Sequence, residues 1–506
     1  AGPIPRHHFR KTGDAVMHFP ADQISNLHRL APEIILCFFG ILIMVVDPFL
    51  GAARRCALGW IGFIGTLSAL GGVYVMAHDQ GMAYSDLIRA DAFSVFVHVV
   101  VIVAAALAIL GSLNYLDDEG IQRGEYYSLV LFATAGMGIL AGANELVTAF
   151  VGLEMSSISS YILAGFRRRA VKSNEAALKY FILGSFATAF FLYGIAMTYG
   201  ATGTTRIDLV QTALENMMAT QGKLASLAVA GLALMFVGLG FKVVAAPFHI
   251  YGPDVYEGAP TPVTALLASG PKAATFALML RIFYVSFGTA GSFWFWAVWI
   301  SAVLTMLVGN LAALVQTNVK RMLAYSSIAH AGYILVAFAA STVYGVAAVL
   351  FYLAVYTFMK VGAFLVIAHL GQRDEKRLEI TDYAGLGTKQ PVLAACFTLF
   401  LLSLLGLPAT GGFLGKFFAF QAALDSRIVW LVIIAAINSV IGSYYYLRVI
   451  IAMYFWEPSK DYTPTKVPLA LVAALAIAAI GTLYLGILPS HVLDFARDAA
   501  NSLNLH

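Results

Sequence analysis

Residues 240–256 read GFKVVAAPFHIYGPDVY, and residues 404–418 read LLGLPATGGFLGKFF. Each lies inside an apolar run of membrane-span length and holds a proline, Pro247 or Pro408. Proline removes one helix hydrogen bond and crowds the preceding turn. Each run also carries a lysine close to that break, Lys242 or Lys416, and the Gly411-Gly412 pair loosens the second break further. In a bilayer, freed backbone groups are tolerated only where protein or water satisfies them. Two lysine-bearing breaks therefore predict two discontinuous helices that face a polar interior.

The rest of the chain supplies the membrane context. Of 506 residues, 60% are hydrophobic and only 11% are charged, against about 25% charged in soluble domains; mean hydropathy is +0.81. A water-soluble globular protein is excluded, and a formal charge of +4 at this length argues against a nucleic-acid binder. Cys37, Cys56 and Cys396 are far apart and sit in or beside apolar stretches, which suits packing rather than a disulfide framework or a metal cluster.

A span needs about 20 apolar residues. Fourteen stretches qualify: 31–50, 57–77, 92–113, 127–142, 146–166, 174–200, 224–250, 262–286, 293–315, 322–341, 344–370, 391–423, 428–455 and 467–489. Their length and continuity indicate helices, and the alternation of barrel strands is missing. The fold class is an all-α polytopic membrane protein with two broken helices. The expected organisation is a polar tail (1–30), three helices (31–113), two five-helix repeats (127–286 and 293–455), a last helix (467–489) and a second polar tail (490–506). Residues 1–30 hold no apolar signal core. The loops at 201–223 and 371–390 are too small to form a catalytic domain.

Basic residues orient the chain. Fifteen of the 31 fall in loops after odd-numbered spans, including Arg54, Arg123, Arg167, Lys320, Arg321 and Lys460, and ten fall on the other side. The first set is therefore expected to face the cytoplasm and both termini the outside. The other six, Lys179, Lys242, Lys272, Lys360, Lys416 and Arg448, fall inside spans, with Glu154 in FVGLEMSSIS (150–159) as the clearly central acid. A charge at the bilayer centre costs about 2.5 to 3.5 kcal/mol on insertion scales, so these groups must face a polar interior. Snorkelling from span ends competes as an explanation for Lys179, Lys360 and Arg448; it suits Lys242, Lys272, Lys416 and Glu154 poorly.

The positions recur. Glu154 and His330 stand 176 residues apart, Lys179 and Lys360 181, Lys242 and Lys416 174, and Lys272 and Arg448 176, while SSISSYILAGF (156–166) resembles SSIAHAGYILVAF (326–338). An offset near 175 covers five spans, an odd number, so the second copy would insert upside down relative to the first. That is the inverted-repeat plan of many ion transporters.

Chemically the set suits protons. Burial disfavours the charged form of an amine and a nearby carboxylate favours it, so an amine that gains and loses a carboxylate partner can take up and release a proton. Glu154 is the candidate partner, and His249, His330, Tyr256 and Tyr325 offer relay groups. Against these stands the ordinary role of a membrane histidine as a packing donor. GFLGKF (412–417) fails as a phosphate loop, because Thr410 occupies the first glycine position and Phe417 follows the lysine. No Cys cluster suits an iron-sulfur centre, so the chain itself is expected to bind no nucleotide, metal or redox cofactor.

APFHIYGPDVYEGAPTPVTALLASGPKAA (246–274), YSSIAHAGYIL (325–335), LPATGGFLGKF (407–417) and SNEAALKYFILGS (173–185) resemble the subunit N family of bacterial proton-translocating NADH-quinone oxidoreductase, respiratory complex I. The mitochondrial NADH dehydrogenase subunit 2 and the Mrp-type antiporter subunits are related to it. The resemblance runs from about 31 to 489. It implies proton-path roles for Glu154, Lys242, Lys272 and Lys416, with Lys179, His249, Tyr325, His330 and Lys360 auxiliary. The family usually has Trp where this chain has Tyr251, two residues after His249. The resemblance further implies a non-redox subunit in the bacterial inner membrane beside other antiporter-like and small membrane subunits. NADH, FMN, iron-sulfur clusters and quinone would then belong to other subunits. A free-standing Mrp-type cation/proton antiporter subunit is the alternative.

Overall fold

The computed structural model describes residues 21–51, 55–457 and 464–503; Arg6, Arg10, Lys11, Arg54 and Lys460, with the outer parts of both tails, lie outside them. The chain begins with α1 (Ala21–Arg29), α2 (Ala31–Val46) and α3 (Cys56–His78), then a short hairpin of β1 (Gly81–Ala83) and β2 (Ile88–Ala90). There follow α4 (Ala92–Asp118), α5 (Gly124–Gly142), α6 (Leu146–Ala164), α7 (Val171–Thr202), α8 (Ile207–Gln221), α9 (Ser226–Lys242), α10 (Gly252–Gly258) and α11 (Thr261–Leu280). The remainder is α12 (Gly291–Leu314), α13 (Val319–Ala339), α14 (Val343–Leu370), α15 (Leu386–Lys389), α16 (Pro391–Leu405), α17 (Gly411–Asp425), α18 (Val429–Phe455), α19 (Leu469–Ile487) and α20 (Ser490–Asn501).

Eleven helices among the described residues are long and apolar enough to cross a membrane. The broken pairs α9/α10 and α16/α17 and the 19-residue α5 bring the crossings to the fourteen expected. Local chemistry sets their ends. Asp91 and Ser94 cap α4 reciprocally, Asn318 caps α13 through the Arg321 amide, and Thr342 caps α14 through the Gly345 amide. Gly203 ends α7 and Gly406 ends α16 with φ of +74° and +97°, the left-handed cap that glycine adopts without strain.

Three segments expected to be loop or tail are built structure. Residues 207–221 form α8, whose Val210 and Leu214 are buried. Residues 21–29 form α1, and 490–501 form α20, which buries Leu493, Ala496 and Ala499 and packs on α4 and α14. Their helical periodicity is short and mixed with charge, which is why they read as polar stretches.

Burial is graded across the bundle. All of α11 and nearly all of α13 and α14 are enclosed, whereas α2, α7, α18 and α19 expose large apolar side chains such as Phe38, Phe186, Val440 and Ile480. An all-apolar helix surface is what lipid requires. The polar side chains of α11, α13 and α14 therefore face one another in the bundle interior.

Candidate functional site

Both breaks bring an amine to the gap. Lys242 is the last residue of α9, and the chain turns at once through Val244 with φ of +62°. Its Nζ donates to Ser157 Oγ (2.6 Å) and Tyr161 OH (3.2 Å) on α6. Lys416 lies six residues into α17, on the far side of its break, yet its side chain folds back to donate to Leu405 O (2.8 Å), at the end of α16, and to Ser439 Oγ (2.9 Å). A cation on the last carbonyls of a helix is the favourable end of its dipole. The 174-residue spacing thus pairs two breaks but places the lysines on opposite sides of them.

An enclosed polar chain runs along α11, α13 and α14. Lys272 on α11 and Lys360 on α14 are each 0% exposed. Lys272 Nζ donates to Ser327 O (2.7 Å), and Lys360 Nζ to Leu323 O (2.7 Å) and Ser326 Oγ (2.9 Å), all on α13. Both amines approach the Tyr356 ring, Lys272 at 5.1 Å and Lys360 at 6.0 Å from its centroid, while the Tyr356 hydroxyl is buried without a hydrogen-bond partner among the described residues. Ser326 Oγ continues to Tyr446 OH (2.5 Å), Tyr446 OH to His330 Nε2 (3.2 Å), and His330 Nδ1 to Tyr352 OH (2.9 Å). One turn on, Tyr333 presents its ring 4.9 Å from Lys416 Nζ.

The segment from Lys242 to Lys272 is not hydrogen-bonded through. A cavity of about 10 Å³ opens beside Lys242 toward α11, lined by Ser156, Ser157, Ser160, Lys242, Pro271 and Thr275 among others. That volume holds about one water molecule, and the hydroxyls and amine supply its partners.

Glu154 does not pair with Lys242. Among the described residues no ion pair joins them, and Glu154 Oε1 is buried without a hydrogen-bond partner. The expected auxiliary residues divide. His330 and Lys360 are in the chain just described. Lys179 sits at the edge, 40% exposed, bound to Glu175 and Asp254 at 2.7 Å each. His249 is half-buried in the turn between α9 and α10, and its Nδ1 lacks a partner. Tyr325 lies 5.8 Å beneath the Arg321 guanidinium, and Tyr256 donates to Leu267 O. Arg448, spaced as the counterpart of Lys272, binds the carbonyls of Leu314 and Gln316 at the end of α12. The residues spaced about 175 apart therefore occupy unlike chemical surroundings: Lys272 lies on the interior chain and Arg448 on the end of α12.

Sequence reading missed the hydroxyl carriers Ser157, Tyr161, Ser326, Tyr352 and Tyr446; the SSISS and SYYY runs at 156–160 and 443–446 were the available signal. It also missed two buried ion clusters. Glu33 on α2 meets His98 on α4 at 2.7 Å, with His98 Nδ1 donating to Ser94 O. Lys320, read as a loop charge, is 0% exposed and donates to Glu375 Oε2 (2.8 Å). Glu375 also takes Arg167 (3.3 Å), Tyr115 OH (2.7 Å) and the Thr261 amide (2.9 Å). Burial alone would raise the Glu375 carboxyl, but Lys320 and Arg167, with hydrogen bonds from Lys320 and Thr261, hold it below the usual glutamate range.

Comparison with known proteins bears on this arrangement. Residues 143–442 match the family model "NADH:quinone oxidoreductase/Mrp antiporter, TM". The chain is 48% identical over 486 residues to NADH-quinone oxidoreductase subunit N 1 of Solibacter usitatus, covering 96% of this chain and 99% of the relative. It is similar to a chain of respiratory complex I from Thermus thermophilus, at 34% identity and a TM-score of 0.77, over 92% of this chain and 98% of that one. A chain of the Mrp complex from Dietzia sp. shares the fold at 22% identity and a TM-score of 0.80, over 95% of this chain and 97% of that one.

Proposed function

The chain belongs to the NADH:quinone oxidoreductase/Mrp antiporter family, within its subunit N branch, and from that premise we propose that its buried lysines form the proton path. It is an antiporter-like membrane subunit of complex I and works among the other membrane subunits of that assembly. It serves proton translocation coupled to NADH-to-quinone electron transfer and has no redox step of its own.

The observation that carries the reading is the enclosed succession Lys272, Tyr356, Lys360, Ser326, Tyr446 and His330, in which two fully buried amines have carbonyl and hydroxyl partners and, among the described residues, no carboxylate. An amine so placed is held with little to spare against its desolvation. Its proton can therefore leave and return as neighbouring charge changes. Lys242 and Lys272 take protons from the cytoplasmic side, and Lys416, at the second break, hands them outward. Glu154, three residues from Ser157 on α6, modulates Lys242: when its side chain swings to the amine the proton is held, and when it withdraws, as in this conformation, Ser157 and Tyr161 are the remaining partners.

The same reading assigns 127–286 and 293–455 to two repeats, places the protein in the bacterial inner membrane with both termini outside, from the loop charges, and leaves every electron carrier to the partner subunits. The test is Lys242→Ala, and in parallel Glu154→Ala, in the assembled complex. Protons moved per electron should fall. Unchanged pumping in a fully assembled complex overturns the assignment.

A further inference from the structure

A cavity of about 360 Å³ opens where α4, α6 and α14 end and α5 begins, lined by the loops 119–123, 166–170 and 373–374. All three loops follow odd-numbered spans, so the cavity sits at one end of the bundle, on the side where the loops are richest in Lys and Arg. Five arginines line it: Arg123, Arg167, Arg168, Arg169 and Arg373. Arg167 is engaged by Glu119 (3.2 Å) and Glu375 (3.3 Å), and Arg168 reaches Glu125 loosely at 3.5 Å. Arg123, Arg169 and Arg373 have no acidic partner among the described residues. The other acid at the rim, Asp374, lies 3.8 Å from Arg167 and 3.7 Å from Lys376.

Like charges gathered around a concave opening repel one another unless an anion joins them. Guanidinium groups match phosphate oxygens in geometry as well as charge. Phe166 and Ile121 also line the cavity, an apolar contribution that suits the glycerol end of a lipid but offers nothing to a free ion. A basic recess between membrane helices on the face rich in Lys and Arg is a headgroup site in physical terms. We propose that this cavity binds the phosphodiester headgroup of an anionic phospholipid, with Arg123, Arg169 and Arg373 as its principal partners.

The test uses the assembled complex in phosphatidylcholine nanodiscs doped with phosphatidylglycerol that carries a photoactivatable group near its headgroup. Crosslinks are mapped by peptide mass spectrometry, and affinity is read from titration of the phosphatidylglycerol fraction. Crosslinks should fall in 119–123, 166–170 and 373–374. Affinity should drop about fivefold for each arginine replaced by alanine, and on the order of a hundredfold for the triple Arg123→Ala, Arg169→Ala, Arg373→Ala variant. The corresponding triple lysine variant keeps the charge and should retain most of the binding, which separates loss of the site from loss of the fold. The proposal is overturned if the triple alanine variant crosslinks as the parent does. It is equally overturned if millimolar inorganic phosphate displaces the lipid, which would mark a soluble anion as the ligand, or if a partner subunit rather than lipid is crosslinked at these loops.

Discussion

Lys320 and Lys272 are both fully buried lysines on interior helices, yet their surroundings are opposite. Lys320 meets Glu375, which in turn meets Arg167, Tyr115 and Thr261, so the charge is matched and every neighbour is held. Lys272 has a backbone carbonyl and the face of Tyr356, and Lys360 next to it has a carbonyl and a hydroxyl. A matched buried ion pair ties elements together, here joining α4, α11, α13 and the loops after α6 and α14. An unmatched amine is poorly suited to that task, because its charge is weakly compensated. Burial of a charge therefore does not by itself set Lys272 apart from Lys320; the absence of a fixed counter-charge among the described residues is the difference on which the proposed proton path rests.

Two methionine variants should split this comparison most widely. Lys272→Met removes a proton acceptor, and positioned proton-transfer groups contribute on the order of 10² to 10⁴ in rate. Proton transfer by this route should drop by about a hundredfold or more, read as NADH-driven acidification in proteoliposomes, while thermal stability stays level or rises. Lys320→Met does the reverse. It breaks a buried ion pair by removing one partner, a loss that typically costs about 3 to 5 kcal/mol and that the remaining contact of Glu375 with Arg167 only partly offsets. Assembly or thermal stability should fall, and whatever complex assembles should still pump. Equal stability losses in both variants would remove the distinction.

A smaller effect is expected within the unmatched region. Tyr446 OH is the single hydroxyl between Ser326 and His330, whereas Tyr352 only ends the chain. Tyr446→Phe should slow coupled proton transfer by about tenfold or less, since a water bridge can replace much of a lost hydroxyl contact, and Tyr352→Phe should slow it less. Matching rates for the two variants would show that the path does not run through Tyr446.

The span count, the two breaks and the lysines that accompany them could be read from the chain, because apolar length, proline and buried charge are local features of sequence. The central role of α11, α13 and α14 could not, since all fourteen runs look alike until packing decides which faces meet lipid. Lys320 illustrates the limit: two residues into a helix and next to Arg321, it reads as a loop charge, and only Glu375, 55 positions away, reveals it as a core group. Lys179 errs in the other direction, since its place within an apolar run hides its exposure and its two acidic partners. The expected pairing of Glu154 with Lys242 is not formed in the structure, where Lys242 takes Ser157 and Tyr161 instead; residue spacing along the chain does not specify side-chain rotation.

Acid should expose the matched region last and most gently. The Glu375 carboxyl is held below its ordinary range by Lys320 and Arg167, outweighing burial, which acts the other way. A group whose pKa is depressed on folding stabilises the native state at pH above its unfolded value, about 4.3 for glutamate, and that contribution is lost as the pH falls through the lower folded value. Between pH 7 and about 5 the cluster should therefore contribute no pH dependence. Below that, the melting temperature of the assembled complex should decline, and part of the decline should be absent in Glu375→Gln, which starts lower because Lys320 has lost its counter-charge but has no carboxylate to protonate. Parallel acid limbs in the parent and the variant would show that Glu375 is not ionised in the folded protein. The comparison would then need another basis, because Lys320 would be as unmatched as Lys272.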